Sequence, residues 1–331
     1  MSTTRGEVDT SSPTIETVRE LCRRYSNWGR WGEDDQLGTL NLIRPEHVTA
    51  AAALVRSGKV ISCGLPLDQA GPQTGGFGRF NPIHLMMRDG NDAITGTVVR
   101  DFYGGKDKHL RGTDDLLILP LQSGTQWDAL AHIMFENKMY NGYDPTLVSS
   151  KGALKNDITQ AADRVVGRGV LLDLPRAQGR AWLEPGEAIT PADLDACAAS
   201  QGVEVGTGDI ILVRTGQIAQ RRAEGGWGDY AGGPAPGLGL ECAGWIHEHE
   251  IAALATDTWG AEVLPNQTPD VFQPLHIVLI VHMGLLLGEI FDLEDLAVDC
   301  ADDGRYEFLF SGVPLPITGA VASPVNPVAI K

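Results

Sequence analysis

The sequence predicts a large α/β domain, on three observations. Apolar segments closed off by glycine, such as GRGVLLDLPR and GDIILVRTG, read as buried strands. Segments with helix start signals fall between them, so strand and helix alternate. Apolar residues make up 43% and charged residues 21%, a balance that allows a sizeable core. At 331 residues the chain is long for one domain, but layered α/β folds reach this size as one unit. A single domain over 16–331 with a loop-rich N-terminal half is therefore expected, behind a polar, flexible stretch over 1–15.

Taken in order, TVRELCRRYSNWGRWGEDDQLGTLNLI starts as a short helix and continues as an irregular packed loop holding Trp28 and Trp31. RPEHVTAAAALVRSGK is an Ala-rich helix with Pro45 in its first turn and Gly58 near its end. VISCGLPL reads as a strand. Asp68 to Lys108 is rich in Gly and polar residues, and long loops of that kind serve as lids or binding loops. DLLILPLQSGTQWDAL reads as an apolar strand running straight into a polar motif. GRGVLLDLPR and GDIILVRTG are strands, with a helix opened by Thr190-Pro-Ala-Asp193 between them. WIHEHEIAALATDTWGAEV gives helix then strand, PLHIVLIVHMGLLLGEIFDLEDL gives helix, strand and short helix, and YEFLFSGVPLPITGAVASPV closes with strands. No internal repeat or heptad pattern is present.

Charge and cysteines narrow the functional classes. Lys and Arg number 26 against 43 Asp and Glu, a formal charge of −17 spread along the chain. Nucleic acids and anionic membranes select basic patches, so neither is expected as a partner. The five cysteines are scattered without a Cys-x-x-Cys pair, which fits a reducing cytoplasm. The first residues lack the apolar segment of a signal peptide. The longest apolar run contains His282 and Glu289 and is too short and too polar to span a bilayer.

The chemistry concentrates in LQSGTQWDALAH. On an extended segment Gln122, Gln126 and Asp128, at even offsets, can face one cavity, with His132 following where the strand gives way. A carboxylate, amide oxygens and an imidazole suit a divalent cation or a polarised water. The residues alone leave a merely polar strand end equally open. Trp127, Trp31 and Phe77 are candidates for an apolar substrate pocket, and Arg79 and His84 for binding a carboxylate. Asp257 is a candidate support for the site, with a purely structural role as the alternative. His276 and His282 compete for an inward role: six helical residues turn about 600°, leaving them about 120° apart, so both cannot line one pocket.

The motif resembles that of the cyclase family of metal-dependent hydrolases, which includes kynurenine formamidase, isatin hydrolase and trans-dienelactone hydrolase. Where the family carries His-x-Gly-Thr-His-x-Asp-x-Pro-x-His, this chain reads Gln122-Ser-Gly-Thr-Gln126-Trp-Asp128-Ala-Leu-Ala-His132. GRGVLLDLP, GDIILVRTG and ATDTW are similar to core strands of the family, His276 and Glu289 to its C-terminal pair, and RWGEDDQLGTLNLI to its longer members. The resemblance implies the family's swivelling β/β/α type of mixed sheet with flanking helices. It also implies Zn or Mn as cofactor, Asp128, His276 and Glu289 as ligands, Gln122 and Gln126 in ligand places with weaker neutral donors, and His132 as the proton-transfer residue. A small-molecule substrate and a homodimer or homotetramer follow as expectations. The activity implied is opening of a cyclic amide, lactone or related C–N or C–O bond. A metal-free lyase, dehydratase or cyclase using His132 and Asp128, and a non-catalytic binding protein, are the alternatives.

Overall fold

The computed structural model describes residues 8–10 and 12–331, so residues 1–7 and 11 of the expected flexible tail lie outside the described residues. One curled sheet of nine strands organises the chain. Its order is Val60–Ser62, Val328–Ile330, Glu307–Ser311, Val166–Asp173, Ile210–Arg214, Ala253–Thr256, Leu286–Glu289, Gln126–Asp128, Ala322–Pro324. The four strands from Val166–Asp173 to Leu286–Glu289 run parallel, and the pairings outside them are antiparallel.

The parallel strands are covered on both faces, which is why they read as unbroken apolar runs. Val170, Leu172, Ile211, Val213, Leu254 and Leu287 pack on one side against helices Ile15–Arg24, Pro191–Gln201 and Cys242–Glu248 and the segment from Pro274 to Met283. Their neighbours Leu171, Ile210, Leu212, Ala253, Ala255 and Leu286 point the other way, onto Phe291, Phe308, Phe310 and helix Glu294–Asp303. Thr190 starts its helix as expected: its hydroxyl accepts from the Asp193 N–H at 3.2 Å while the Asp193 carboxylate accepts from the Thr190 N–H at 2.8 Å. No helix among the described residues is long and apolar enough to cross a membrane.

Three expectations change. Residues 68–108 are not one loop: Ile83–Arg88 pairs antiparallel with Asp114–Ile118, and helices Gly90–Thr95 and Thr97–Phe102 lie between these strands. The apolar run before the motif is therefore not continuous with the motif strand. Asp114–Ile118 belongs to a separate two-stranded hairpin, and the main sheet is entered only at Gln126. The helix after Pro274 is α-helical only to His276 and continues as a wider π turn over Ile277–Met283. His276 and His282 still diverge, and His282 stacks on Trp28 with ring centroids 4.8 Å apart.

Two stability predictions follow from this packing. A Cβ on Gly288 would stand 2.6 Å from Ala255 Cβ and 2.7 Å from Trp127 Cζ3, so Gly288→Ala is expected to destabilise the chain by about 1–3 kcal/mol in urea unfolding. Wild-type stability in that variant would show that the sheet yields there. Burial pulls the His282 ring down to about 4, with Glu136 opposing. The unfolded chain then takes up that proton near pH 6.5 while the fold refuses it, so stability is lost as pH falls from 6.5 towards 4. His282→Phe, which keeps the stacked ring, is expected to flatten that acid loss, read as the unfolding midpoint at pH 7.5 and pH 5.

Candidate active site

The site is built by strand register. Across the antiparallel pair, Gln126 stands opposite Glu289 and Asp128 opposite Leu287. The two-residue period puts all four side chains on one face and Trp127 and Gly288 on the other. Gln126 Nε2 donates to Glu289 Oε2 at 2.9 Å, and the other carboxylate oxygen, Oε1, lies 3.1 Å from His276 Nε2. Asp128, His276 and Glu289 each offer a ligand atom within 4.8 Å of the others.

His276 arrives from a helix start that Glu262 organises. Glu262 Oε2 accepts from the Leu275 N–H at 3.1 Å, and Oε1 accepts from the His276 N–H at 3.0 Å and lies 2.6 Å from His276 Nδ1. One carboxylate thus satisfies orphan amides of the helix start and fixes the imidazole, leaving Nε2 turned towards Asp128 and Glu289. Burial alone would lower the His276 ring, but the hydrogen bonds to Glu262 and Glu289 outweigh it and push it up to about 10. Burial pushes the Asp128 carboxyl up to about 6, with the His132 ring pulling it back. Asp128 Oδ1 and Gln126 Oε1 are buried acceptors without a donor among the described residues. Such orphans cost about 1–3 kcal/mol each, which a bound cation or water offsets.

His132 lies beside this cluster, its Nε2 3.9 Å from Asp128 Oδ2. Gln122 Nε2 reaches His132 Nδ1 at 3.3 Å. An amide donor on Nδ1 leaves the ring proton on Nε2, facing Asp128. A cavity of about 200 Å³ opens over the group, with Phe77, Trp259, Phe272 and Arg79 in its wall. Phe77 lies 5.9 Å from the Trp259 ring and 6.0 Å from Phe272, and the Arg79 guanidinium sits 5.0 Å over Trp259. Gln73 ties this wall to the motif: it accepts from Trp259 Nε1 at 3.3 Å and donates to the Ser123 carbonyl at 3.0 Å.

The structure therefore brings together Asp128, Gln126, His276, Glu289, His132, Phe77 and Arg79. It separates others. Gln122 contacts the His132 ring, an orienting position. Trp127 is buried on the opposite face, edge-on to Phe291 and bonded to the Gly312 carbonyl at 2.7 Å, because strand alternation turns it away from its neighbours. Trp31 lies under the Arg30 guanidinium, and His84 sits on the hairpin paired with Asp115 at 2.7 Å; neither lines the cavity. Asp257 accepts from the Thr215 and Gly216 amides at 2.8 and 2.7 Å, a structural clamp. Trp259, Phe272 and Glu262 were not anticipated. For the first, its place directly after the ATDT strand end was an available signal; for the others there was none.

Glu262→Gln keeps a hydrogen-bond acceptor on His276 but removes its charge. Divalent-metal affinity is expected to fall about 10–100-fold by titration calorimetry. An amide can accept at only one of the two backbone N–H groups that Glu262 serves, so the thermal midpoint is expected to fall as well. Glu262→Asp is the variant that keeps both acceptors. Asp128→Asn is expected to abolish binding under the same conditions, and undiminished affinity would remove Asp128 from any ligand set.

The cyclase family model, described as "Putative cyclase", matches residues 69–263. The crystal structure of a novel cyclase superposes with a TM-score of 0.82 at 38% identity, covering 94% of this chain and 99% of that chain. Isatin hydrolase A from Labrenzia aggregata, bound to benzyl benzoate, gives 0.57 at 19% identity over 84% of this chain and 94% of its own. Isatin hydrolase A from Ralstonia solanacearum gives 0.59 at 16% identity over 86% and 97%. The two isatin hydrolases show a shared fold. No curated protein matches the sequence. The matched span and the 38% identical structure place this chain in the cyclase family.

Proposed function

We propose that this protein is a metal-dependent hydrolase that opens a C–N or C–O bond beside a carbonyl in a small cyclic amide, lactone or formamide-like molecule. The observation that carries the reading is the convergence of Asp128, His276 and Glu289 in a cavity that also holds His132. The likeness to isatin hydrolases, one of them bound to the product analogue thioisatinate, supports it. The five cysteines are free and buried, which supports a cytoplasmic setting.

Asp128, His276 and Glu289 are the residues that would hold a divalent cation, Zn or Mn, with Gln126 Oε1 as a neutral donor beside them. Such an ion supplies Lewis acidity towards the carbonyl and a more acidic water. The rest is done by the chain. The His132 side chain is 20% exposed against 2% for Asp128, so its Nε2 can pass a proton between the cavity and bulk water. Gln122 holds the ring in that orientation. Phe77, Trp259 and Phe272 offer ring faces to a planar substrate ring, and Arg79 offers its charge to a carboxylate or developing oxyanion.

One observation favours a second reading. Both oxygens of Glu289 are already engaged by Gln126 and His276, so the chain closes the cluster with its own groups, as a metal-free lyase or dehydratase would.

Metal analysis of protein purified without added metal, followed by assay on cyclic amides and lactones with and without chelator, separates the two. The hydrolase reading expects bound metal and chelator-sensitive turnover. His132→Ala is expected to lower turnover roughly 10²–10⁴-fold with metal content unchanged. Turnover that survives chelation in metal-free protein would overturn the metal-dependent reading, and a product formed by elimination rather than by addition of water would establish the second.

A further inference from the structure

The stretch from Gln73 to Asn81, QTGGFGRFN, is a loop closed at its base by one side chain. Asn81 Oδ1 accepts from the Gln73 N–H at 2.8 Å and Asn81 Nδ2 donates to the Gln73 carbonyl at 3.1 Å. Gln73 is itself held between the Ser123 carbonyl and Trp259 Nε1, so the base is fixed. The tip above it stands clear of the body. A Cβ on Gly75, Gly76 or Gly78 would meet nothing within 4 Å, and the Gly78 and Arg79 amides bond back to the Gly75 and Gly76 carbonyls, within the tip. Gly75, Phe77 and Gly78 take φ of +96°, +56° and +73°, left-handed values that suit the two glycines and are uncommon for a phenylalanine.

That tip carries Phe77 and Arg79, two residues in the wall of the cavity over Asp128 and His276. Phe77 is 75% exposed and does not seal the cavity, yet it is the ring that both Trp259 and Phe272 reach; among the described residues those two do not stack on each other. With interplanar angles of 30° and 23° to its neighbours, the Phe77 ring stands where a planar ligand ring would gain most. The space left beside it is about 200 Å³. Ordinary ligand pockets offer roughly 300–1,000 Å³.

We propose that residues 74–80 form a flap and that Phe77 is its plug, the residue that decides which ring enters. The tip swings out on Gly75 and Gly78, a planar aromatic ring takes the place of Phe77 against Trp259, and the tip closes again with Phe77 outside that ring and the Arg79 guanidinium at its anionic edge. Exchange of one stacked ring for another leaves the stacking nearly balanced, so a carboxylate facing Arg79 decides in favour of the ligand. The proposal rests on this cavity being the substrate site.

Stopped-flow fluorescence with indole-2-carboxylate, a planar aromatic anion with no bond to hydrolyse, tests the flap on the full chain. Binding of this probe needs no turnover, so failure of the flap and failure of the hydrolase reading are told apart. Phe77→Ala, at an exposed position, is expected to raise the association rate at least about tenfold, whereas loss of a ring that merely lines the wall changes chiefly the dissociation rate. Gly75→Ala with Gly78→Ala strains the plugged tip without meeting any neighbour, and is expected to raise the association rate at least about threefold with Phe77 in place. Arg79→Gln is expected to raise the dissociation constant at least about tenfold. An association rate that Phe77→Ala leaves unchanged overturns the plug, and one that the alanine pair leaves unchanged overturns the hinge. Absence of probe binding to wild type and Phe77→Ala alike overturns the proposal, as does an affinity that Arg79→Gln does not alter.

Discussion

The antiparallel pairing of Gln126–Asp128 with Leu286–Glu289 is the constraint on which the site depends. It joins residues more than 150 positions apart in sequence, and its register alone decides which of them meet. A slip of one residue would turn Gln126, Asp128 or Glu289 to the core face and bring Trp127 into the cavity. The register is held by packing rather than by the polar groups. Trp127 fills the opposite face against Phe291 and bonds the Gly312 carbonyl, and Gly288 supplies the space it needs. The large aromatic in the middle of the motif is thus a structural anchor, and its two polar neighbours are aimed because it is fixed.

Burying Asp128, Glu262 and Glu289 within one small volume would be costly without compensation. The chain supplies it in two forms. The His276 ring lies between Glu262 and Glu289 with one nitrogen towards each carboxylate, and the amide of Gln126 donates to Glu289. Glu262 ties this compensation to the backbone, since the same oxygen that faces the His276 ring also accepts from the His276 N–H. Electrostatics and helix initiation are one arrangement here, so the site cannot be loosened without disturbing the helix start.

Much of this was legible in the residues. The parallel strands and the Thr190 cap could be read locally, because apolar runs and capping boxes are short-range signals. The even spacing of Gln126 and Asp128 correctly placed both on one face. The same argument should have sent Trp127 to the other face, where it lies; adjacency in sequence is not adjacency across a strand. Gln122 lies before the strand begins, so the period did not apply to it, and it meets His132 instead. Glu262 and Phe272 reach the site through tertiary folding alone, from segments with no periodicity to betray them. The hairpin was hidden for a different reason: its exposed apolar strands look like core strands, and no local signal says which side of a strand will be covered.

Glutamine at position 126 makes chemical sense in this setting. An amide has two ends of opposite character, and here the nitrogen donates to Glu289 while the oxygen, buried and without a donor, remains available on the same face as Asp128. An imidazole in that place could offer one nitrogen to a cation, but it carries no acceptor oxygen beside its donor and would hold the Glu289 carboxylate at a different angle. The amide therefore couples the acidic cluster to its own free acceptor through one rigid group. Its donor end steadies a carboxylate that would otherwise face Asp128 with less support, and its acceptor end is a weak, neutral ligand that does not add to the negative charge. Unlike a further carboxylate, the amide adds no negative charge to a cluster that already holds three.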